Sequence, residues 1–145
     1  MSVRITDAAF EPWSQLAEYQ REQAGQAAKT GATAVFVGSM RDFNEGDEVS
    51  GMFLEHYPGM TEKYLEKISA TARTRWELED SLIVHRVGEL SPGDPIVLVA
   101  VWSAHRKAAF EACRWLMEEL KAKAPFWKKE QLAKGSRWVE HNTPG

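Results

Sequence analysis

The stretch SLIVHRVGELSPGDPIVLVAVWSA, residues 81–104, contains two apolar runs separated by the turn-forming residues Ser-Pro-Gly-Asp. Residues 81–90 and 95–104 each have the length and the β-branched content of a buried strand. Pro92 and Gly93 favour a turn, so the two strands are predicted to pair as antiparallel neighbours. Parallel strands need a crossover of about a dozen residues or more, which this link lacks. A purely parallel sheet is therefore excluded.

The segments on either side of this stretch alternate between strand and helix patterns. Strands are predicted at 3–5, 52–57 and 136–140, a buried strand at 32–40, and helices at 12–25, 61–76 and 105–123. Pro12 occupies a permitted first-turn position, Thr61 is expected to cap the second helix, and residues 41–51 have the composition of a polar loop. This order predicts an α+β fold with mostly antiparallel strands and two or three helices.

The longest predicted helix has an apolar stripe at three- and four-residue spacing. The stripe consists of Phe110, Cys113, Leu116 or Met117, Leu120 and Ala124. Pro125 disfavours helical angles at the residue before it, so the chain is expected to continue beyond it as an extended segment. Cys113 falls on the inward face, where a thiol behaves as a small apolar group and not as a nucleophile.

Composition places the chain among ordinary globular proteins. With 145 residues, 43% hydrophobic and 27% charged, we expect one domain over residues 1–145. No run approaches the roughly 20 apolar residues that cross a bilayer, and the N-terminus lacks the apolar region of a signal peptide. A single cysteine fits a reducing compartment, so a cytoplasmic protein without membrane contact is expected.

Charge is distributed unevenly along the chain. The net charge is −3, yet residues Ser103–Arg137 contain nine basic and four acidic residues. An acidic chain is a poor candidate for binding nucleic acid, which requires a basic face on the whole domain. A compact anion is the better partner for a local cationic zone.

Five cations of this sequence could form an anion site. Lys121 on the last helical turn and Lys128 on the following extended segment can face one pocket. His105 and Arg106 lie at the helix start, where backbone N–H groups attract anions, and Arg41 ends a strand. These residue types suit phosphate recognition combined with lysine proton transfer. By spacing alone the alternative stays open that each is only a helix-dipole complement, a cap or a surface charge.

Other common sites are not indicated. His56 and His85 lie in predicted strands without a second ligand at metal-binding spacing, so both are interpreted as structural and no metal site is expected. The sequence contains no Walker loop, GxGxxG, GxSxG or CxxC motif. No cofactor is expected either.

Four longer motifs together resemble a known family. LEHYPGMTEK (54–63), HRVGELSPGD (85–94), SAHRKAAFEA (103–112) and KAKAPFWKKE (121–130) resemble the large, catalytic subunit of molybdopterin synthase, in the same order and spacing. The resemblance runs from about Val3 to Glu140. It implies an α/β-hammerhead-like fold and an enzyme that installs two dithiolene sulfurs in cyclic pyranopterin monophosphate to form molybdopterin. A small ubiquitin-like subunit supplies the sulfur as a C-terminal Gly-Gly thiocarboxylate, and two copies of each subunit form a heterotetramer.

The resemblance also implies roles for individual residues. Lys121 and Lys128 match the two active-site lysines, Arg41 matches a pocket arginine, and His105 with Arg106 matches a pair that binds the pterin phosphate. Pocket-lining residues are implied at Phe36 and Met117, and a basic substrate-binding residue at Arg137. The C-terminal HNTPG (141–145) departs from the family pattern, because relatives have a longer tail with another basic residue there. Whether this tail contributes across a dimer of large subunits is left open.

Two alternatives remain at this stage. A non-catalytic module that binds a ubiquitin-like tail or a phosphorylated metabolite would use the same cations. An unrelated enzyme acting on a phosphometabolite would need no protein partner. Lysine substitution distinguishes the enzyme from the non-catalytic module, because a pure binder has no turnover to lose. Activity without a protein partner would indicate the unrelated enzyme.

Overall fold

The structure is a computed structural model that describes residues 1–133 and 135–140 of the chain. Within these residues the elements are β1 (Ser2–Thr6), α1 (Pro12–Glu22), a 3₁₀ helix (Ala24–Lys29), β2 (Ala32–Ser39), β3 (Phe43–Asn44), β4 (Asp47–His56), α2 (Met60–Trp76), β5 (Asp80–Arg86), β6 (Gly88–Leu90), β7 (Pro95–Ser103), α3 (Arg106–Lys123), β8 (Phe126–Leu132) and β9 (Gly135–Trp138). None of the helices in this part of the chain combines the length and apolar character needed to span a bilayer. The predicted α+β class, mostly antiparallel with three helices, is confirmed.

The first sheet has the strand order β1-β5-β7-β2. β5 and β7 pair antiparallel as predicted, with Ser81 opposite Val101, and only β1 runs parallel to its neighbour. Helices α2 and α3 cover one face, where Ile83 and Val99 are buried, and α1 covers the other. Burial on both faces explains why the two strands are continuously apolar instead of alternating.

The second sheet has the order β3-β4-β8-β9, with β6 also paired to β4. Residues 81–90 were expected to form one strand, and this is wrong. The chain leaves the first sheet after Arg86 and joins the second at Gly88, whose φ of 90° is unfavourable for other residues. Residues 81–90 therefore contribute one strand to each sheet and connect the two sheets.

Residues 41–51, predicted as a polar loop, instead form a β-hairpin of β3 and the start of β4. Glu45 and Gly46 have φ values of 53° and 80°, as the two central residues of a tight hairpin turn require. The hairpin is rich in acidic residues on exposed positions, which hid its strand pattern.

The start of α2 differs from the prediction. The cap is Gly59, whose N–H donates to Glu62 Oε2 at 3.1 Å. Thr61 lies inside the helix, where its Oγ1 accepts from the Tyr57 N–H at 3.0 Å and donates to the Pro125 carbonyl at 3.0 Å. Thr61 thus ties α2 to the corner between α3 and β8 instead of capping the helix.

The inward stripe of α3 is shifted from the predicted phase at its start. Phe110 is 69% exposed, whereas Ala109 and Ala112 are buried. The prediction for Cys113 is confirmed, because the residue is buried and burial raises the pKa of its thiol to about 11. Helix α1 ends at Glu22 and continues as the 3₁₀ helix, short of the predicted residue 25.

Candidate active site

The corner between α3 and β8 places two lysines beside each other. α3 ends at Lys123, its C-cap Ala124 has an extended ψ of 137°, and Pro125 cannot continue the helix. Lys121 on the last turn and Lys128 on β8 then line the same two adjoining cavities, of about 190 and 100 Å³. The structure thus brings the two lysines to a common pocket, as the sequence predicted.

The larger cavity, called here the apolar lobe, is lined by residues from strands of both sheets and from α3. Besides the two lysines its walls are Phe36, Gly38, Ser39, His85, Ile96, Val97, Met117, Leu120, Ala124 and Phe126. Phe36 is 40% exposed because β2 is an edge strand, contrary to the prediction of a buried strand at 32–40. Met117 is buried. Both predicted pocket-lining residues therefore border this lobe.

The smaller cavity, called the polar lobe, is built mainly by the hairpin and β8. Its walls are Ser39, Met40, Arg41, Phe43, Asn44, Met52, Ile96, Glu130, Val139 and the two lysines. The Arg41 guanidinium lies 4.8 Å from the centre of the Phe43 ring, which stabilises its position by a cation–π contact. Three cations thus share the polar lobe with one buried carboxylate.

The surroundings of Lys128 disfavour its charged form. Burial lowers its pKa from 10.5 to about 8, and the charge of Lys121 and a hydrogen bond with it act in the same direction. Arg41 lowers this pKa further, whereas Glu130 opposes the shift. At neutral pH roughly one Lys128 side chain in ten is uncharged, so the residue can exchange a proton.

His85 lines the apolar lobe, although its sequence context indicated only a structural histidine. Its ring stacks on Phe126 with centroids 3.9 Å apart, and its Nδ1 lies 2.7 Å from the Arg86 carbonyl, which requires an N–H there. Burial lowers its pKa to about 3, and the nearby lysines add to the shift. The ring is therefore a neutral part of the lobe wall, a role that strand periodicity alone could not reveal.

Arg137 does not line either lobe. Its Nε donates to Glu130 Oε1 at 3.0 Å, its Nη1 to Asp47 Oδ2 at 2.7 Å and its Nη2 to the Asn44 carbonyl at 3.0 Å. Glu45 is a further ion-pair partner at 3.6 Å. These contacts raise the pKa of Arg137 and hold its guanidinium against the carboxylates of Glu130, Asp47 and Glu45.

His105 and Arg106 lie at the opposite end of α3 from the lysines. His105 is the N-cap and Arg106 the first helical residue, and both side chains are exposed. Fifteen residues of helix separate Arg106 from Lys121, which corresponds to about 22 Å. Neither residue lines the two lobes, so one copy of the chain does not unite all five predicted anion-binding residues.

Two further expectations concern metals and the C-terminal tail. Among the described residues no group of three or more His, Cys, Asp or Glu is placed to hold a metal ion. The tail at 141–145 lies outside the described residues.

Comparison with known proteins identifies the family. The family model described as MoaE protein matches residues 6–123. A molybdopterin synthase catalytic subunit of Pseudomonas aeruginosa is 55% identical over 140 residues, which cover 97% of this chain and 91% of that protein.

Solved structures agree with this match. The MoaE protein from Burkholderia ambifaria has 46% identity and a TM-score of 0.80 over 99% of this chain and 92% of its own. Molybdopterin synthase from Staphylococcus aureus has 33% identity and a TM-score of 0.84, covering 95% of this chain and 96% of its own. The resemblance inferred from the four motifs is confirmed, and the chain belongs to the MoaE family.

Proposed function

We propose that this chain is the catalytic subunit of a molybdopterin synthase. It takes sulfur from the C-terminal thiocarboxylate of a small ubiquitin-like subunit and transfers it to cyclic pyranopterin monophosphate, forming the dithiolene of molybdopterin. The observation that carries the proposal is the pair Lys121 and Lys128, which two different elements bring to one cavity in a member of this family. The reaction takes place in the cytoplasm, where a lone cysteine stays reduced.

The charge of the site suits two anionic reactants. A thiocarboxylate and a phosphate repel each other, so bringing them within reaction distance requires fixed positive charge. Arg41 in the polar lobe can bind phosphate oxygens through two parallel hydrogen bonds. Lys121 lies where the two lobes meet and would orient the sulfur and stabilise the negative charge that develops during transfer.

Lys128 is the proton donor or acceptor of the proposed mechanism. Its lowered pKa of about 8 lets it exist in both protonation states near neutral pH, unlike an ordinary lysine. The apolar lobe, with Phe36 and Met117 on its wall, receives the Gly-Gly tail, because glycines without side chains can enter a narrow channel.

A second copy of the chain completes the proposed site. If His105 and Arg106 bind the substrate phosphate, they must reach the pocket from another copy, because their own pocket lies a helix length away. A dimer of large subunits, each with one small subunit, gives the heterotetramer. Isologous dimers offer two equivalent sites of this kind.

The experiment is to measure molybdopterin formation from cyclic pyranopterin monophosphate with and without a thiocarboxylated small subunit. Product that requires the partner and is lost in Lys121→Ala supports the proposal. Lys123→Ala is the matched control, since Lys123 is 63% exposed on the same helical turn and pairs with Glu119.

Two outcomes would overturn this function. Failure to form product with a competent partner that nevertheless binds would favour the non-catalytic module. Turnover of a phosphometabolite without any partner would favour an unrelated enzyme.

A further inference from the structure

A buried carboxylate stands among the cations of the polar lobe. Glu130 is 6% exposed and lies two residues after Lys128 on β8, so both side chains point to the same face of the sheet. A carboxylate removed from water must be paired or hydrogen-bonded. Its presence in a site that binds anions therefore needs a reason.

The carboxylate is anchored by two donors, Asn44 on the lobe wall and Arg137 on β9. Asn44 Nδ2 and Arg137 Nε both donate to Glu130 Oε1, at 3.2 and 3.0 Å. Arg137 is itself held by Asp47 and by the Asn44 carbonyl. The hairpin and β9 thus fix one oxygen of Glu130, and the carboxylate stays on the wall of the polar lobe.

We propose that Glu130 and Arg137 are a positioning pair for Lys128. Glu130 offsets the repulsion that Lys128 experiences from Lys121 and Arg41, and Arg137 prevents the carboxylate from closing onto Lys128 as a salt bridge. Arg137 therefore acts through Glu130 and does not bind substrate. The importance of the pair for turnover rests on the proposed function, whereas its effect on Lys128 does not.

The charged groups around Lys128 support this assignment. Lys121 comes from α3 and Arg41 from the link between β2 and β3, and both lower the pKa of Lys128, whereas Glu130 raises it. His85 faces the lobe from β5 as a neutral ring. His56, opposite Phe126 in the sheet pairing, lies on the neighbouring β4. Among the described residues that act on Lys128, Glu130 counters the surrounding cations.

The two members of the pair have opposite expected effects. In Glu130→Gln the offsetting charge is lost, so the pKa of Lys128 falls below its value of about 8. In Arg137→Gln the carboxylate loses its charged anchor and can move towards Lys128, which lines the same lobe, so the same pKa rises. Asp47→Asn is the matched control, because it removes one ion pair of Arg137 and leaves its contacts with Glu130 and with the Asn44 carbonyl in place.

The test needs no turnover and uses the full chain. Each variant is trace-labelled with an amine-reactive ester across pH 6–11, and fragment mass spectrometry separates label on Lys128 from label on its neighbour Lys129. Because only the neutral amine reacts, the midpoint of the labelling curve reports the pKa of Lys128. Thermal unfolding of each variant, compared with the wild-type chain, verifies that it is folded.

Opposite shifts in Glu130→Gln and Arg137→Gln, with Asp47→Asn unchanged, support the proposal. Unchanged midpoints, or shifts of the same sign, overturn it, because a purely structural clip would change stability alone. If Glu130→Gln does not fold, Arg137→Gln decides by itself, and a midpoint that falls or stays the same overturns the proposal. In the synthase reaction both variants should then have a lower kcat, with a smaller change in KM. Absence of product from the wild-type chain would instead contradict the proposed function and leave the labelling result standing.

Discussion

The two ends of α3 contain similar residues and differ in what surrounds them. At the C-terminal end Lys121 meets Lys128 at the junction of two cavities, and burial lowers the pKa of Lys128 to about 8. At the N-terminal end His105 and Arg106 are exposed and line neither cavity. The difference teaches that a cluster of cations becomes a reactive site only where the fold removes water from it.

The largest effect is expected from removing Lys128, at the pocket end of α3. Lys128→Ala should lower the rate of molybdopterin formation by about a hundredfold or more, because a preorganised cation and proton carrier is lost. The rate is measured under single-turnover conditions with a thiocarboxylated small subunit. A folded Lys128→Ala protein that retains nearly the wild-type rate would contradict this assignment.

Mixing variants tests whether the two ends work together across copies. Lys128→Ala and Arg106→Ala should each be poorly active alone, but refolding them together should restore about a quarter of the wild-type activity, because about half the dimers are mixed and each has one intact site. The control is a mixture of Lys128→Ala with Lys121→Ala, which lie at the same end and should give no recovery. Recovery in the control, or none in the test mixture, would exclude the shared site.

Stability should differ along the same helix. Leu116→Ala removes a fully buried side chain and should lower the free energy of unfolding by about 2–5 kcal/mol. Phe110→Ala, at an exposed position, should change it by less than about 0.5 kcal/mol. Urea denaturation measures both. A large cost for Phe110→Ala only at high protein concentration would instead place Phe110 in contact with another copy.

Burial at the pocket end should make folding depend on pH. The folded-state pKa of His85 is about 3, below its ordinary value of 6.5, so the unfolded chain binds more protons between these values. Stability should therefore fall as pH drops from about 6.5 towards 3, by up to about 1.4 kcal/mol per pH unit from this residue. In His85→Phe, which keeps an aromatic ring against Phe126, denaturation midpoints measured over this range should show a shallower slope. An unchanged slope would show that His85 has nearly the same pKa in the folded and unfolded chain, which contradicts its burial as a neutral ring.

The smallest effect is expected from removing the charge of Lys121, which tests how far this charge lowers the pKa of Lys128. Lys121→Met should raise the labelling midpoint of Lys128 from about 8 towards its ordinary value, because one neighbouring positive charge is removed. Lys123→Met, on the exposed side of the same turn, should leave the midpoint unchanged. Equal midpoints in both variants would mean that the charge of Lys121 does not contribute to the lowered pKa of Lys128.

Much of this arrangement could be predicted from local signals. Pro125 ends α3, and this alone separates Lys121 and Lys128 onto two elements that can face one pocket. Gly46 carried the signal for the β3–β4 hairpin, but the acidic residues around it concealed the strands. The phase error at Phe110 arose because Ala109 and Ala112 are too small to mark a buried face by hydrophobicity.

Long-range contacts account for what local signals could not predict. Asn44 and Glu130 are 86 residues apart and meet because β3 pairs with β4 and β4 pairs with β8. The separation of His105 and Arg106 from the lysines follows from helix length, yet the composition of the cationic zone made them look like one cluster. Register and topology, rather than residue type, decide these relations.

The Thr61 hydroxyl, which bridges the Tyr57 N–H and the Pro125 carbonyl, has a consequence for how activity appears during refolding. The bridge closes a span of 64 residues between α2 and the α3–β8 corner. An intermediate with α3 and β8 formed but α2 undocked would lack it, and the spacing of the two lysines would be unset. Recovery of sulfur transfer should therefore lag behind recovery of helical circular dichroism, which makes catalysis a reporter of the last docking step.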